Sequence, residues 1–324
     1  MPVCYRRYAA ARVSATPHRL WFPEVILTTE SLDGNEAMHG SEQLVALVAL
    51  LKGGPYQGAQ MKLRQQLVEG RLPTEIVEDE ALRPQEVGDA QSLVDGWCQA
   101  GETPLSWLDV DYPRQLRDVH DFPPVIFVRG NLVREDMGIC VVGSRDAGEH
   151  AERAAREIAS GLVGEGLTVV SGLAEGVDTA AHEAALQQGG RTVAVIGSGI
   201  DRYYPARNRP LQQALESEGM VLSQFWPGSS PARFTFPMRN AVMSAYAQAT
   251  IIVAASEKSG TRHQARQAVA HGRPLVLSRS VASYTTWGRA LVEDPAALVE
   301  VADGPESAVE LAISMFNGLV PELT

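Results

Sequence analysis

The sequence predicts an α/β protein: a parallel sheet with helices on both faces, joined to a small helical N-terminal domain. Three observations predict it. From residue 139 onward, short β-branched runs alternate with stretches of ten or more helix formers. The first three runs close on turns of small residues, while the first hundred residues lack this alternation. Strands that read as continuous apolar runs are buried on both faces, and parallel neighbours need a crossover helix.

Taken in order, residues 41–51 form an apolar helix halted by Gly53, Gly54 and Pro55. Residues 57–69 form a second, ended by Gly70 and Pro73. The acidic, proline-containing stretch 71–91 reads as a linker or long loop, and 94–100 as a short helix before Gly101. Ile139, Cys140, Val141 and Val142 then make a strand closed by Gly143, Ser144 and Arg145, with a helix over 149–163. Strand 167–170 closes on Ser171 and Gly172 and leads into helix 177–188. Strand 192–196 closes on Gly197, Ser198 and Gly199. Runs at 220–223, 250–254 and 274–277 repeat the arrangement, the last behind a helix over 263–271. This is a Rossmann-like sheet with right-handed connections, and its ligands belong at the carboxyl ends of the strands.

The chain has 324 residues, 45% of them hydrophobic, with no apolar run of the roughly 18 residues that a membrane span needs. No apolar segment follows Arg6 and Arg7, so no secretory signal is read. Three scattered cysteines (Cys4, Cys98, Cys140) suit a reducing compartment, which predicts a cytoplasmic protein. The net charge of -11 is unevenly spread. Residues 185–290 hold twelve basic and four acidic side chains, leaving +8 there against -19 elsewhere. Eleven of the twelve are arginine, whose planar fork suits phosphate and stacks on bases. The asymmetry keeps an anionic ligand in play.

The chemistry is read from the turns. Gly143, Ser144 and Arg145, then Ser171 and Gly172, then Gly197, Ser198 and Gly199, and finally Ser259, Gly260 and Thr261 share one sheet edge. Small residues let backbone N–H groups approach an anion, and the helix N-terminus behind each adds a partial positive charge. The 143–148 turn lacks the G-x-G-x-x-G spacing of a dinucleotide site, and there is no G-x-x-x-x-G-K-[ST] loop. Neither a cofactor nor a metal is expected. Asp178 and His182 share a helix face, either as an acid/base or metal pair or, the favoured reading, as a helix-terminal carboxylate and a histidine packed on the sheet.

Several segments together resemble the DNA-processing protein A (DprA/Smf) family. They are Tyr112-Pro113, Pro123-Pro124-Val125-Ile126-Phe127-Val128-Arg129-Gly130-Asn131 and Val142-Gly143-Ser144-Arg145. They continue through Ser171-Gly172-Leu173-Ala174-Glu175-Gly176-Val177-Asp178-Thr179-Ala180-Ala181-His182 and Gly197-Ser198-Gly199-Ile200-Asp201. Tyr204-Pro205, Asn208, Phe236-Pro237-Met238-Arg239-Asn240 and Ser259-Gly260-Thr261 complete the set. The likeness spans residues 107–300, which marks 1–106 as a helical accessory domain and 301–324 as a helical tail. It implies an extended Rossmann fold, a homodimer, single-stranded DNA binding without catalysis, and delivery of that DNA to a RecA-type recombinase during recombination and transformation.

The resemblance also implies which residues meet DNA, with Arg145 in the groove. Glu175 stands where a cation is usual, and Ala241, Gln224 and Arg279 also depart from the pattern, so the chain reads as a divergent member. Arg202, Arg207, Arg209, Arg239, Arg262 and Arg266 offer replacement cations, and Asn240 joins the set beside Arg239. Tyr203, Tyr204 and Phe236 offer stacking platforms. Two other functions compete. A phosphoribohydrolase of the wider Rossmann group needs a catalytic glutamate where Gln264 stands, and an amide is no general acid or base. A sensor of a small nucleotide needs a closed pocket, whereas DNA needs an open groove.

Overall fold

The computed structural model describes residues 34–51 and 60–319, with side chains from residue 41 onward. The predicted helix start at 57–59, the stop at 53–55 and the last five tail positions lie outside the described residues. The α/β prediction holds. Nine strands form one sheet in the order β1-β2-β6-β5-β4-β3-β7-β8-β9. They are β1 (Pro104–Ser106), β2 (Val125–Gly130), β3 (Gly138–Gly143), β4 (Thr168–Ser171), β5 (Thr192–Val195), β6 (Met220–Ser223), β7 (Ala249–Ala254), β8 (Leu275–Ser278) and β9 (Val299–Ala302). From β6 across to β9 every pairing is parallel, while β1 and β2 run antiparallel at the edge. That antiparallel edge was not anticipated.

The twofold alternation of a strand divides the core between two faces. Ile139 and Val141 of β3 join the cluster covered by α5 (Glu149–Gly164), α6 (Val177–Gln187) and α12 (Pro305–Asn317). Cys140 and Val142 face the other cluster, under α7 (Arg209–Glu218), α8 (Thr235–Tyr246), α9 (Thr261–Ala270) and α10 (Arg279–Tyr284). Helix α11 (Thr286–Glu293) leads from α10 toward β9.

The second cluster continues into the N-terminal helices α1 (Gly34–Leu50), α2 (Gln60–Val68), α3 (Pro73–Asp79) and α4 (Pro84–Gln99). Trp97 of α4 makes the join: its ring meets Phe127 of β2 and Trp226 edge-on, each at 5.1 Å. The stretch expected to be a linker is therefore helical. Pro73 and Pro84 each open a helix at its first turn, where a missing N–H costs nothing. Glu75 and Glu86 then accept from the backbone N–H groups of Leu72 and Arg83, at 3.0 and 2.8 Å. The short helix expected at 94–100 is the end of α4.

At the amino end of the sheet, Asp136 accepts from Thr168 Oγ1, from Arg191 Nε at 2.8 Å and from Tyr246 Oη at 2.7 Å. This buried carboxylate ties three segments and leaves the opposite, carboxyl edge to the turns.

Candidate nucleic-acid interface

The order of the parallel strands reverses beside β3, with β4 on one side and β7 on the other. Such a switch point opens a crevice at the carboxyl edge. The turn after β3 carries Arg145, and Gly176 opens α6 against it. Gly176 has φ 75°, and a Cβ there would lie 2.6 Å from the Ser144 carbonyl oxygen. The turn after β3 thus packs directly on the start of α6, which requires glycine at 176.

Between them and α8 lies an open cleft of about 170 Å³, lined by Arg145, Gly172, Leu173, Ala174, Glu175, Gly197, Ser198, Tyr204, Pro205, Phe236 and Arg239. Its wall is aromatic. The half-exposed Tyr204 ring sits 5.8 Å from Phe236, and the exposed Arg145 guanidinium lies over the Phe236 face at 4.8 Å. A guanidinium on a ring face is attracted by the ring quadrupole and keeps its outer edge free for an anion.

Arg239 forms the floor. Its residue is only 5% exposed, and Nη1 donates to the carbonyl oxygens of Gly172 and, at 2.8 Å, Val195. It therefore clips the ends of β4 and β5 together, while Nε donates to the Asn240 amide oxygen at 3.0 Å. A Cβ on Gly172 would fall 2.1 Å from that Nη1 atom, so glycine here makes room for the cation. Burial pulls the Arg239 guanidinium below its ordinary value, opposed chiefly by Asp178. Burial likewise pushes the Asp178 carboxyl up, with Arg239 and the Ala174 N–H (3.3 Å) opposing.

His182 is fully buried, with Nδ1 2.7 Å from Thr192 Oγ1. Burial and then Arg239 push it down to about 3, so it is neutral. Asp178 and His182 thus serve the helix terminus and the sheet. Leu173, buried at φ 58°, adopts the left-handed region that costs a branched side chain energy. Asn208 holds it there: Nδ2 donates to the Leu173 carbonyl oxygen and to Thr179 Oγ1, each at 2.9 Å. The left-handed backbone of Leu173 and the burial of Arg239 are not legible in the sequence, because both depend on contacts far along the chain.

Of the residues singled out beforehand, Arg145, Gly172, Gly197, Ser198, Tyr204 and Arg239 line the cleft, with Ser144 and Gly143 on the adjoining turn. Ser171 lies beneath, donating to the Val141 carbonyl oxygen at 2.7 Å. Gly199 is buried, its N–H on the Ser229 carbonyl oxygen at 2.9 Å. Arg202 turns away toward the Gly228 carbonyl oxygen at 3.3 Å. Arg207 is exposed and lies 3.4 Å from Glu175, at the rim. Ser259, Gly260, Thr261 and Arg262 form the start of α9, not the cleft lining. Thr261 Oγ1 donates to the Gly143 carbonyl oxygen at 3.2 Å, which keeps this turn beside the switch point.

Residues 104–305 match the model of the family described as DNA recombination-mediator protein A. The chain belongs to this family, the DprA/Smf proteins. The DprA of Streptococcus pneumoniae is 40% identical over 172 residues, 53% of this chain and 61% of that protein. Protein Smf of Synechocystis is 39% identical over 165 residues, 49% of this chain and 42% of that protein. The chain thus aligns with about half the length of these curated DprA/Smf relatives. The X-ray structure of the pneumococcal DprA superposes with a TM-score of 0.64 at 27% identity, covering 83% of this chain and 92% of that one. The Helicobacter pylori DprA, described for its single-stranded DNA binding mode, shares the fold with a TM-score of 0.57 at 23% identity, over 66% of this chain and 96% of that one.

Proposed function

We propose that this DprA/Smf protein binds single-stranded DNA along the open cleft and, as a cytoplasmic homodimer, hands it to a RecA-type recombinase without catalysing a reaction. The observation that carries the reading is Arg145 stacked on Phe236 beside Tyr204, above the buried cation Arg239. Stacking accepts any base, and a guanidinium fork accepts any backbone phosphate, so the pair suits a strand of arbitrary sequence. In this reading 107–300 is the DNA-handling domain, flanked by the accessory domain 1–106 and the tail 301–324. Arg202, Arg207, Asn240, Ser259, Gly260, Thr261 and Arg262 extend the path beyond the cleft.

Two observations weigh against the competing functions. A cleft of about 170 Å³ falls short of the roughly 300–1,000 Å³ of small-molecule pockets, which disfavours a nucleotide sensor. Gln264, where a hydrolase would place its glutamate, is buried with its amide 3.9 Å from Cys140 Sγ and takes no part in the cleft.

The test is fluorescence anisotropy of labelled oligo-dT titrated with the chain, with duplex DNA and mononucleotides as competitors. Preference for the single strand supports the reading. Weak oligo-dT binding that a free mononucleotide fully displaces supports the sensor instead.

A further inference from the structure

Far from the cleft, His120, Asp121 and His271 bring one ligand atom each to within 4.8 Å of one another. They come from two distant segments. His120 and Asp121 lie in the loop between the 3-10 turn Arg114–Asp118 and β2, and His271 is the C-cap of α9. His271 Nε2 lies 2.8 Å from Asp121 Oδ1, and its side chain is wholly shielded. The exposed His120 ring meets it edge-on, with centroids 5.9 Å apart.

We propose that these three side chains form a binding site for a divalent transition-metal ion, zinc above all, that staples the loop before β2 to the end of α9. Two imidazoles and one carboxylate suit zinc, leaving a fourth position to water. Zinc ligands at about 2.0–2.1 Å from the ion stand roughly 3.3 Å apart, so the ion enters by opening the His271–Asp121 contact slightly and drawing in the His120 ring.

The surroundings are those of a ligand site. The second nitrogen of His271, Nδ1, lies 3.0 Å from the Ser244 hydroxyl, the outer partner that fixes a ligating ring. His271 also caps the carboxyl end of a ten-residue helix, where the dipole favours a cation. Arg64 Nε donates to the Phe122 carbonyl oxygen at 2.7 Å, and Arg273 Nη2 lies 3.6 Å from Asp118, so the loop is held from both sides.

The chain, stripped with EDTA, is titrated with ZnCl2 by calorimetry and with CoCl2 by visible absorption. One zinc per chain is expected, with cobalt d–d bands of a low-coordinate N/O site. His120→Ala leaves the buried packing intact and should weaken zinc by about tenfold or more, and Ser244→Ala should weaken it less, by loss of the outer partner. Absence of binding would overturn the proposal. So would equal affinity in His120→Ala, since the ion would then sit elsewhere.

Discussion

Glu175 is paired with Arg207 at 3.4 Å, so the carboxylate that stands in place of the family's expected cation is already balanced at the cleft rim. Both side chains are partly exposed, and such a pair adds little to stability. Its consequence is for binding. Arg207 is held by Glu175 and is the less free for a phosphate. Glu175→Lys should therefore tighten single-stranded DNA and steepen the salt dependence by about 0.7 in log–log slope for each cation gained. Anisotropy titrations of the variant across a salt series check this, and an unchanged slope would place residue 175 outside the DNA path.

Removing the aromatic wall should act differently. Phe236→Ala and Tyr204→Ala are each expected to cost about 1–3 kcal/mol of single-strand affinity. The salt slope should remain close to that of the parent chain for Tyr204→Ala, because no charge is lost. Loss of slope along with affinity in that variant would mean that the ring positions a cation.

Gly172 tests the internal clip. Gly172→Ala drives a methyl group into the Arg239 guanidinium, which is pinned by two carbonyl oxygens. Overpacking of this kind costs about 1–3 kcal/mol, so urea denaturation should show that loss. An unchanged midpoint would show that Arg239 can swing aside.

His182 makes a pH prediction. Its folded value of about 3 lies below the ordinary 6.5, so the buried ring resists protonation while the unfolded chain takes up the proton. This histidine's contribution is intact above pH 6.5 and is lost as the pH falls from 6.5 toward 3. Between pH 7 and pH 5 it should remove about 2 kcal/mol. His182→Asn lacks this titration, so its stability difference between the two pH values should be smaller by about that amount in urea denaturation. Equal pH dependence in the two proteins would contradict the buried neutral ring.

Much of the sheet was legible because its central strands are short β-branched runs ending in small residues, a pattern that only double-sided burial produces. The antiparallel strand Val125–Gly130 escaped because two prolines precede it and no helix connects it to its neighbours. Helix α3 and the first half of α4 are hidden in the sequence because Pro73 and Pro84 read as breakers, although each precedes a glutamate placed to cap a helix. In the cleft, Arg145 could be read from its turn. The burial of Arg239 could not, since it depends on the carbonyl oxygens of Gly172 and Val195, 67 and 44 residues away. The ring contact of Arg145 with Phe236 is likewise a product of tertiary packing.

The most direct test of the central claim is the salt dependence of oligo-dT binding by the chain and by Arg145→Ala. Binding should strongly prefer the single strand over duplex and fall steeply with salt, with a slope about 0.7 shallower in the variant. Absence of oligo-dT binding at low salt, or a variant indistinguishable from the parent, would contradict it.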